Sequence, residues 1–476
     1  MSKSNRFVGY LIAMIMYIHN RGSLLSRDNV KERTILLDAV EYMLGSCNAR
    51  ALIRDAVRVA VGDNNEYIAI NNERIDINRY RAVYVIGCGK AALGMAYAID
   101  EILGDKIASG IIIVPDYVES SSNIGDGRIT ILKGTHPIPS KSSIDATDIM
   151  LDLAKSAGRD DLLLFLVSGG CSSLVVKPYN ITLEEKQEVT RLLLNSGARI
   201  DEINAVRKHL SQVKGGRLVE MLKADILSII ISDVPCNRLD TIASGLTAPD
   251  STTFRDAMLV LKKYKIWDKV SSSVRKVIED GVAGIIRETP KPGDAIFKRV
   301  RNFIVADNAY ACAKAKEFFS SIGIDARIMS TKMHGEAREI GSFMASLAYE
   351  VAKHARPFSK PVAVIAGGET HVKVTGNGRG GRNQELALSS LISARMLGCI
   401  DWALLAIGTD GIDGNSMNAG AIVDKVTLSS AIAQGLDMDY YLACNNSAGF
   451  FDAVNDSIIT GATGTNLNDV VILLVL

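Results

Sequence analysis

Residues Val83–Ala96 read VYVIGCGKAALGMA, and this stretch decides the fold. Apolar residues run into Gly87-Cys88-Gly89-Lys90, and an alanine-rich segment follows. A buried strand, a glycine turn and a helix in that order open a βαβ unit. The same grammar repeats outward. RAVYVIGCG, ASGIIIVP, RITILKG, DDLLLFLVSGG and ADILSIIISD each read as a short apolar strand closed by Gly, Pro, Ser or Asp. Helical patterns such as KAALGMAYAIDEIL and SIDATDIMLDLAKSAG separate them. Continuous apolar strands between helices predict a parallel sheet covered on both faces, a doubly wound α/β domain.

Further along, NITLEEKQEV begins a mostly helical region, with Thr182 and Glu185 spaced as a capping box. RETPKPGDAIFKRV concentrates proline, glycine and charge, which predicts a boundary near residue 290. A second α/β unit is expected beyond it. VRNFIVADN, DARIMST, DWALLAIGTDG, GAIVD and DVVILLVL read as strands, and KPVAVIAGGETHVKV as two strands around a glycine turn. The organisation expected is an extension over 1–30, a Rossmann-like domain over 31–290 and a second α/β domain over 291–476.

The chain has 476 residues, 47% hydrophobic and 22% charged, with a net charge of +1. That is the profile of a globular protein with a large core and no global field to attract nucleic acid or an anionic membrane. The seven cysteines are scattered and never spaced C-x-x-C, so buried thiols in a reducing cytoplasm are expected, without a disulfide framework or a zinc site. The apolar run Phe7–Ile18 is shorter than the roughly 20 residues of a spanning helix and lacks a small-x-small cleavage site. A signal anchor is one reading; the favoured one is a non-core extension, with the globular protein beginning near Val30.

Several turns could carry chemistry. Gly87-x-Gly89-x-x-Ala92 fits a dinucleotide fingerprint with alanine in the last place, but Lys90 would crowd a pyrophosphate and the expected ribose-binding acid is not evident. Backbone N–H groups at a helix start plus one ammonium suit a phosphate or a carboxylate. Ser168-Gly169-Gly170, followed by Ser172, lets a ligand approach the backbone. It is neither a nucleophile elbow nor a phosphate loop of the G-x-x-x-x-G-K-[ST] type. NAVRKHLSQVKGGRL reads as a solvated basic helix face carrying Arg207, Lys208, His209, Lys214 and Arg217. Asp233 ends an apolar strand, where ligands of open α/β sheets bind and where a carboxylate can hold Mg²⁺. In RGGRNQELAL, Arg379 and Arg382 bracket two glycines at a helix start near Asn383, a pattern for an anion site, with Glu369 upstream across the expected hairpin. In GTDGIDG, Asp410 and Asp413 are candidate metal ligands. Lysine and arginine beside carboxylates suggest metal-assisted phosphoryl transfer in a cleft.

In this order GCGKAALGMA, SGGCSSLV, SDVPCNRLDTIASGLTAPDSTTF, GGETHVKVTGNGRGGRNQELAL and GTDGIDGNSMNAGAIVD resemble the glycerate 2-kinase family, the class II or MOFRL-type glycerate kinases, from about residue 32 to the end. The resemblance implies two dissimilar three-layer α/β/α domains, the first with a Rossmann-like parallel sheet and the second with a mixed sheet. It implies ATP-dependent phosphorylation of D-glycerate to 2-phosphoglycerate with Mg²⁺ or another divalent cation, in the cleft between the domains. It places catalysis or substrate binding on Lys90 and Arg382. With Asp233 these are the expected catalytic residues. Gly87, Gly89, Ser168, Gly169, Gly170, Ser172, Glu369, Arg379, Asn383 and Asp410 are the expected binding residues, and Asp233, Asp410 and Asp413 the metal ligands. Asn237 stands where the family usually has Asp, and Leu246 where it usually has Pro. A cytoplasmic enzyme is expected, a homodimer with no nucleic-acid or membrane partner. The rival readings are an NAD(P)H-dependent hydroxypyruvate reductase and a non-catalytic sugar-acid binding protein.

Overall fold

The computed structural model describes residues 16–26, 28–61 and 66–476. The chain forms two compact units. One spans Ala49–Asp307; the other joins residues 16–48 to 308–476.

The first unit opens with a small antiparallel sheet of β1 (Val57–Val61), β2 (Glu66–Ile70) and β3 (Glu73–Asp76), which the sequence reading did not anticipate. The main sheet holds β4 (Val83–Cys88), β5 (Ile107–Pro115), β6 (Asn123–Ile124), β7 (Ile129–Gly134), β8 (Leu162–Val167), β9 (Asp225–Ile231) and β10 (Val300–Ala306). Their spatial order is β10-β9-β8-β4-β5-β7-β6, parallel except for the short edge strand β6. All five apolar runs around VYVIGCG lie in this sheet. β8 is buried at every position, as a parallel strand covered on both faces must be. Counted from β7, the order is that of a doubly wound sheet, reversing direction between β4 and β8. The capping box is formed: Thr182 Oγ1 accepts the Glu185 N–H and Glu185 Oε2 accepts the Thr182 N–H.

The second unit carries β11 (Asp325–Met333), β12 (Val362–Gly368), β13 (Ala403–Gly408), β14 (Gly420–Val423), β15 (Ser457–Ile458) and β16 (Asp469–Val475), ordered β11-β12-β16-β13-β14-β15. The sheet is mixed. β16 enters antiparallel between β12 and β13, pairing Asp469 with both Gly368 and Gly408. The first residue of the last strand therefore sits at the carboxyl ends of its neighbours.

Four expectations need correction. The boundary drawn at 290 falls instead at Asp307, because VRNFIVA pairs in parallel with β9 as the outer strand of the first sheet. The N-terminal segment is not outside the core from residue 17 onward. Tyr17, Ile18 and Leu24 are buried, and the N–H groups of Tyr17 and Ile18 donate to the Glu41 carboxylate. The helix Val30–Ser46 packs in the unit of residues 308–476, where fully buried Arg33 pairs with Asp424 and Asp456, both at 2.7 Å. Most of the apolar run that precedes this segment lies outside the described residues. Two cysteines are not thiols: Cys88 and Cys171 are joined, their Cα atoms 5.0 Å apart, because the ends of β4 and β8 are adjacent. Finally, GGETHVKV forms no hairpin. After β12 only an isolated bridge between Glu336 and His371 remains. No helix of the described residues is long and apolar enough to cross a membrane.

Candidate active site

Three sequence-selected turns meet at the carboxyl edge of the first sheet. β4, β8 and β9 are consecutive neighbours in register, and each ends in a selected turn: Gly89-Lys90, Ser168-Gly169-Gly170 and Ser232-Asp233. This edge, at the reversal of strand order, is where doubly wound sheets bind ligands. The first two turns are stitched together. Lys90 N donates to Gly169 O at 2.8 Å, and Ala91 N to Ser168 Oγ at 3.1 Å. Gly89 has φ +126°, and a Cβ there would lie 2.2 Å from Ser168 Oγ and 2.7 Å from Ser168 O. Only glycine permits both that backbone and that approach. Ser168 Oγ thus serves the turn itself rather than standing open to a ligand.

Two partners of these turns enter through tertiary contact: His136, which sequence reasoning missed, and Ser244, which it placed only in an irregular loop after Asp233. A Cβ on Gly170 would meet His136 Cδ2 at 3.1 Å and Lys90 Cγ at 3.5 Å, so His136 flanks the lysine. Ser172 Oγ lies 3.0 Å from Ser244 Oγ, which reaches Asn204 Oδ1 at 3.2 Å. Ser244 sits in a tight turn where Ala243, Ser244 and Gly245 all take positive φ. No local sequence pattern announces such a turn. Asp233 is partly exposed. Asn237, the departure from the family pattern, donates through Nδ2 to Asp307 at 2.6 Å, so an amide suits a position facing a carboxylate. Leu246 is buried in the core beside β9, which an apolar side chain satisfies.

In the second unit, RGGRNQELAL resolves into two unlike arginines. Arg379 is exposed and pairs with Asp452 at 3.2 Å on the surface, so it does not join Arg382 as an anion clamp. Arg382 begins the helix Arg382–Leu397. Its Nε and Nη2 grip the two oxygens of Asp469 at 2.5 and 3.1 Å, and its Nη1 meets Glu369 at 2.7 Å. Burial disfavours the charged arginine, but the two carboxylates outweigh that and hold its pKa above the ordinary value. The helix mouth is also filled. Asp413 Oδ1 accepts the Asn383 N–H at 3.0 Å, and Oδ2 accepts the Gln384 N–H at 2.8 Å. The anion that this turn holds is the chain's own Asp413. A Cβ on Gly381 would come within 2.3 Å of Asp413 Oδ1, which explains the glycine.

Asp413 is therefore a helix cap and not a metal ligand. Burial, against the helix N–H groups, raises its pKa to about 7. Burial likewise raises Asp469 to about 6, with Arg382 opposing. Asn383 bridges the pair through Nδ2, 3.2 Å from Asp413 and 3.1 Å from Asp469. Asp410, partly exposed, stands at the same edge; its Oδ1 accepts the Ile412 N–H at 3.2 Å. Glu369, Arg382, Asn383, Asp410 and Asp413 are thus brought together, with Asp469 as the residue not foreseen. Its signal was the acid opening the last apolar run, legible only once that strand is known to run antiparallel. Among the described residues no three His, Cys, Asp or Glu side chains form a ready metal cage.

Residues 362–469 match the MOFRL family, and residues 35–279 match a family described as a domain of unknown function, DUF4147. The D-glycerate 2-kinase of Thermotoga maritima is 43% identical over 82% of this chain and 90% of its own length. The glycerate 2-kinase of Pyrococcus horikoshii is 39% identical over 88% of this chain and 93% of its own. The crystal structure of a glycerate kinase from Thermotoga maritima superposes with a TM-score of 0.79 at 38% identity, covering 93% of this chain and 99% of that one. With its site-bearing turns in place on both units, the chain belongs to the MOFRL-type glycerate 2-kinase family.

Proposed function

We propose that the protein is an ATP-dependent kinase that phosphorylates D-glycerate to 2-phosphoglycerate. The observation that carries this reading is the convergence of the Lys90, Ser168-Gly-Gly and Asp233 turns at the reversal of strand order in the first sheet. Such an edge presents backbone N–H groups, one ammonium and one carboxylate to a ligand. Phosphoryl transfer asks mainly for positioning and charge neutralisation, because its transition state is loose. Lys90 neutralises the phosphoryl oxygens, and Asp233 accepts the proton of the attacking hydroxyl. Arg382, in the second unit, is the other residue to which we assign substrate binding or catalysis. Two carboxylates hold its guanidinium in a fixed orientation.

Mg²⁺ normally reaches such enzymes with the nucleotide, bound by one or two carboxylates together with phosphate and water. Asp233 or Asp410, each partly exposed at a strand end, suits that role; Asp413, occupied by the helix, does not. The ion would neutralise charge on the phosphoryl oxygens. The two relatives described above are glycerate 2-kinases by name, which supports ATP as the donor.

The test is a Mg²⁺-dependent assay with ATP and D-glycerate, with the product resolved as 2- or 3-phosphoglycerate. Formation of 2-phosphoglycerate is expected. NAD(P)H oxidation with hydroxypyruvate and no ADP formation would replace this reading with a reductase. Binding of glycerate without turnover would leave a binding protein.

A further inference from the structure

The segment NAVRKHLSQVKGGRL was expected to be a solvated basic face. It is instead mostly buried: Lys208, His209, Lys214 and Arg217 are all enclosed. Its cations fall into two groups. Lys208 and His209 have counter-charges, with Asp250 3.2 Å from Lys208 and Glu288 3.1 Å from His209. The others do not. Lys214, 1% exposed, donates to the Ser172 carbonyl at 2.7 Å. Lys186, on the neighbouring helix Leu183–Asn195, donates to the carbonyls of Leu210 and Arg207 at 3.0 and 3.4 Å. Arg207 keeps accessible surface, and no carboxylate of the described residues pairs with its guanidinium.

Three basic side chains without a carboxylate, two of them buried, are costly to keep charged in a low-dielectric site. Burial pulls Lys186 down to about 7, with Arg207 adding to the effect, and burial with Lys186 and Arg207 pulls Lys214 well below its ordinary range. The polypeptide supplies carboxylates one residue away, at Lys208, and withholds them here. Lys214 also ends on the Ser172 turn, which continues the Ser168-Gly-Gly turn hydrogen-bonded to Lys90.

We propose that Arg207, backed by Lys186 and Lys214, forms a phosphate subsite of the first unit, taking the phosphoryl oxygens of the nucleotide or of the phosphorylated product. Arg207 touches the ligand. Lys214 is a positioning residue that sets the Ser172 turn and the local field. A phosphate monoester carries about −1.5 to −2 at neutral pH, and its charge would favour the ionised forms of the two lysines that burial disfavours. The assignment of nucleotide or product rests on the kinase reading; the phosphate chemistry does not.

The test uses the full chain as wild type, Arg207→Gln and Lys214→Met. Calorimetric titration with inorganic phosphate, without substrates, should show binding that weakens at least about tenfold in Arg207→Gln, one charge-assisted contact being worth that much. Arg207 is partly exposed, so its variant should fold; circular dichroism and the melting temperature check this. In kinetics, a rise of about tenfold in KM for ATP assigns the nucleotide, and the same rise in the inhibition constant of 2-phosphoglycerate assigns the product. Either should come with KM for D-glycerate changed less than about twofold. Lys214→Met should lower kcat more than it changes any KM, with its folding intact. Unchanged phosphate affinity in folded Arg207→Gln overturns the subsite, even if the kinase assay succeeds. A rise confined to KM for D-glycerate overturns it in favour of a carboxylate site. If phosphate binding depends on Arg207 but no kinase activity appears, the subsite stands and the kinase reading falls.

Discussion

Arg382→Ala tests two roles at once, and a second substitution separates them. The single variant removes the guanidinium that neutralises Asp469, which is 1% exposed on its side chain, and Glu369, which is 40% exposed. Glu369 can be solvated; Asp469 cannot. Removing one partner of a buried ion pair costs about 3–5 kcal/mol, mostly from the stranded charge. Arg382 is itself a third exposed and water can enter the vacated space, so a loss near about 3 kcal/mol is expected at pH 8. Arg382→Ala combined with Asp469→Asn strands no charge, and the introduced amide still accepts from Asn383. The double variant should recover about 2 kcal/mol of that loss. The pH dependence follows from the sign of the shift. Burial already raises Asp469 to about 6, and losing the arginine raises it further. At pH 5 the folded single variant therefore holds Asp469 neutral, and its deficit against the double variant shrinks. Trp402 lies in this unit and Trp267 in the other. Urea unfolding followed by Trp402 fluorescence in a Trp267→Phe background reports this unit alone. Equal stability of single and double variants at pH 8, within about 0.5 kcal/mol, would refute the stranded-charge argument. Both variants should keep less than about one hundredth of wild-type kcat/KM; a double variant with restored turnover would make Arg382 purely structural.

Three further outcomes are expected. Lys90→Ala should lower kcat/KM at least about a hundredfold, roughly 2.7 kcal/mol of transition-state stabilisation, with an unchanged melting temperature; near-normal turnover in the folded variant removes Lys90 from the mechanism. Gly89→Ala combines a left-handed backbone with a Cβ 2.2 Å from Ser168 Oγ, so thermal unfolding should show a loss of about 2–4 kcal/mol alongside loss of activity. Asp413, raised by burial from 3.8 to about 7, lets the folded state hold a proton that the unfolded chain releases, so its contribution is full below about pH 4 and is lost as pH rises through about 7. Asp413→Asn should flatten that part of the stability–pH curve, leaving the smaller Asp469 contribution that ends near pH 6.

Strands were legible where one physical signal sufficed. The five apolar runs of the first sheet are continuous because both faces are covered, and each was found with its closing turn. Pairing partners were less legible. VRNFIVA carries nothing local that says whether it joins the preceding sheet or the following one; its parallel register on β9 decides that. The place of Arg33 depends on Asp424 and Asp456, about four hundred residues away in sequence and invisible to any window. The site divides the same way. Gly89, Lys90 and the Ser168 turn follow from strand-end grammar, whereas Asp469 and His136 enter through tertiary contact alone.

Counter-charge separates the two basic features that the sequence presented as similar. RGGRNQELAL looked like an open anion nest, yet Asp413 fills the helix mouth and Asp469 grips Arg382. Removing the arginine there must expose a buried carboxylate, so its stability cost and its catalytic cost arrive together. NAVRKHLSQVKGGRL looked like a solvated face, yet Lys186, Arg207 and Lys214 are enclosed or half-enclosed without carboxylates. Removing a basic group there strands no carboxylate, so the stability cost should be small while ligand affinity falls. The size of the stability change on deleting the group therefore distinguishes a charge that completes the fold from one kept for a ligand. Arg382→Ala should cost more stability than Lys214→Met.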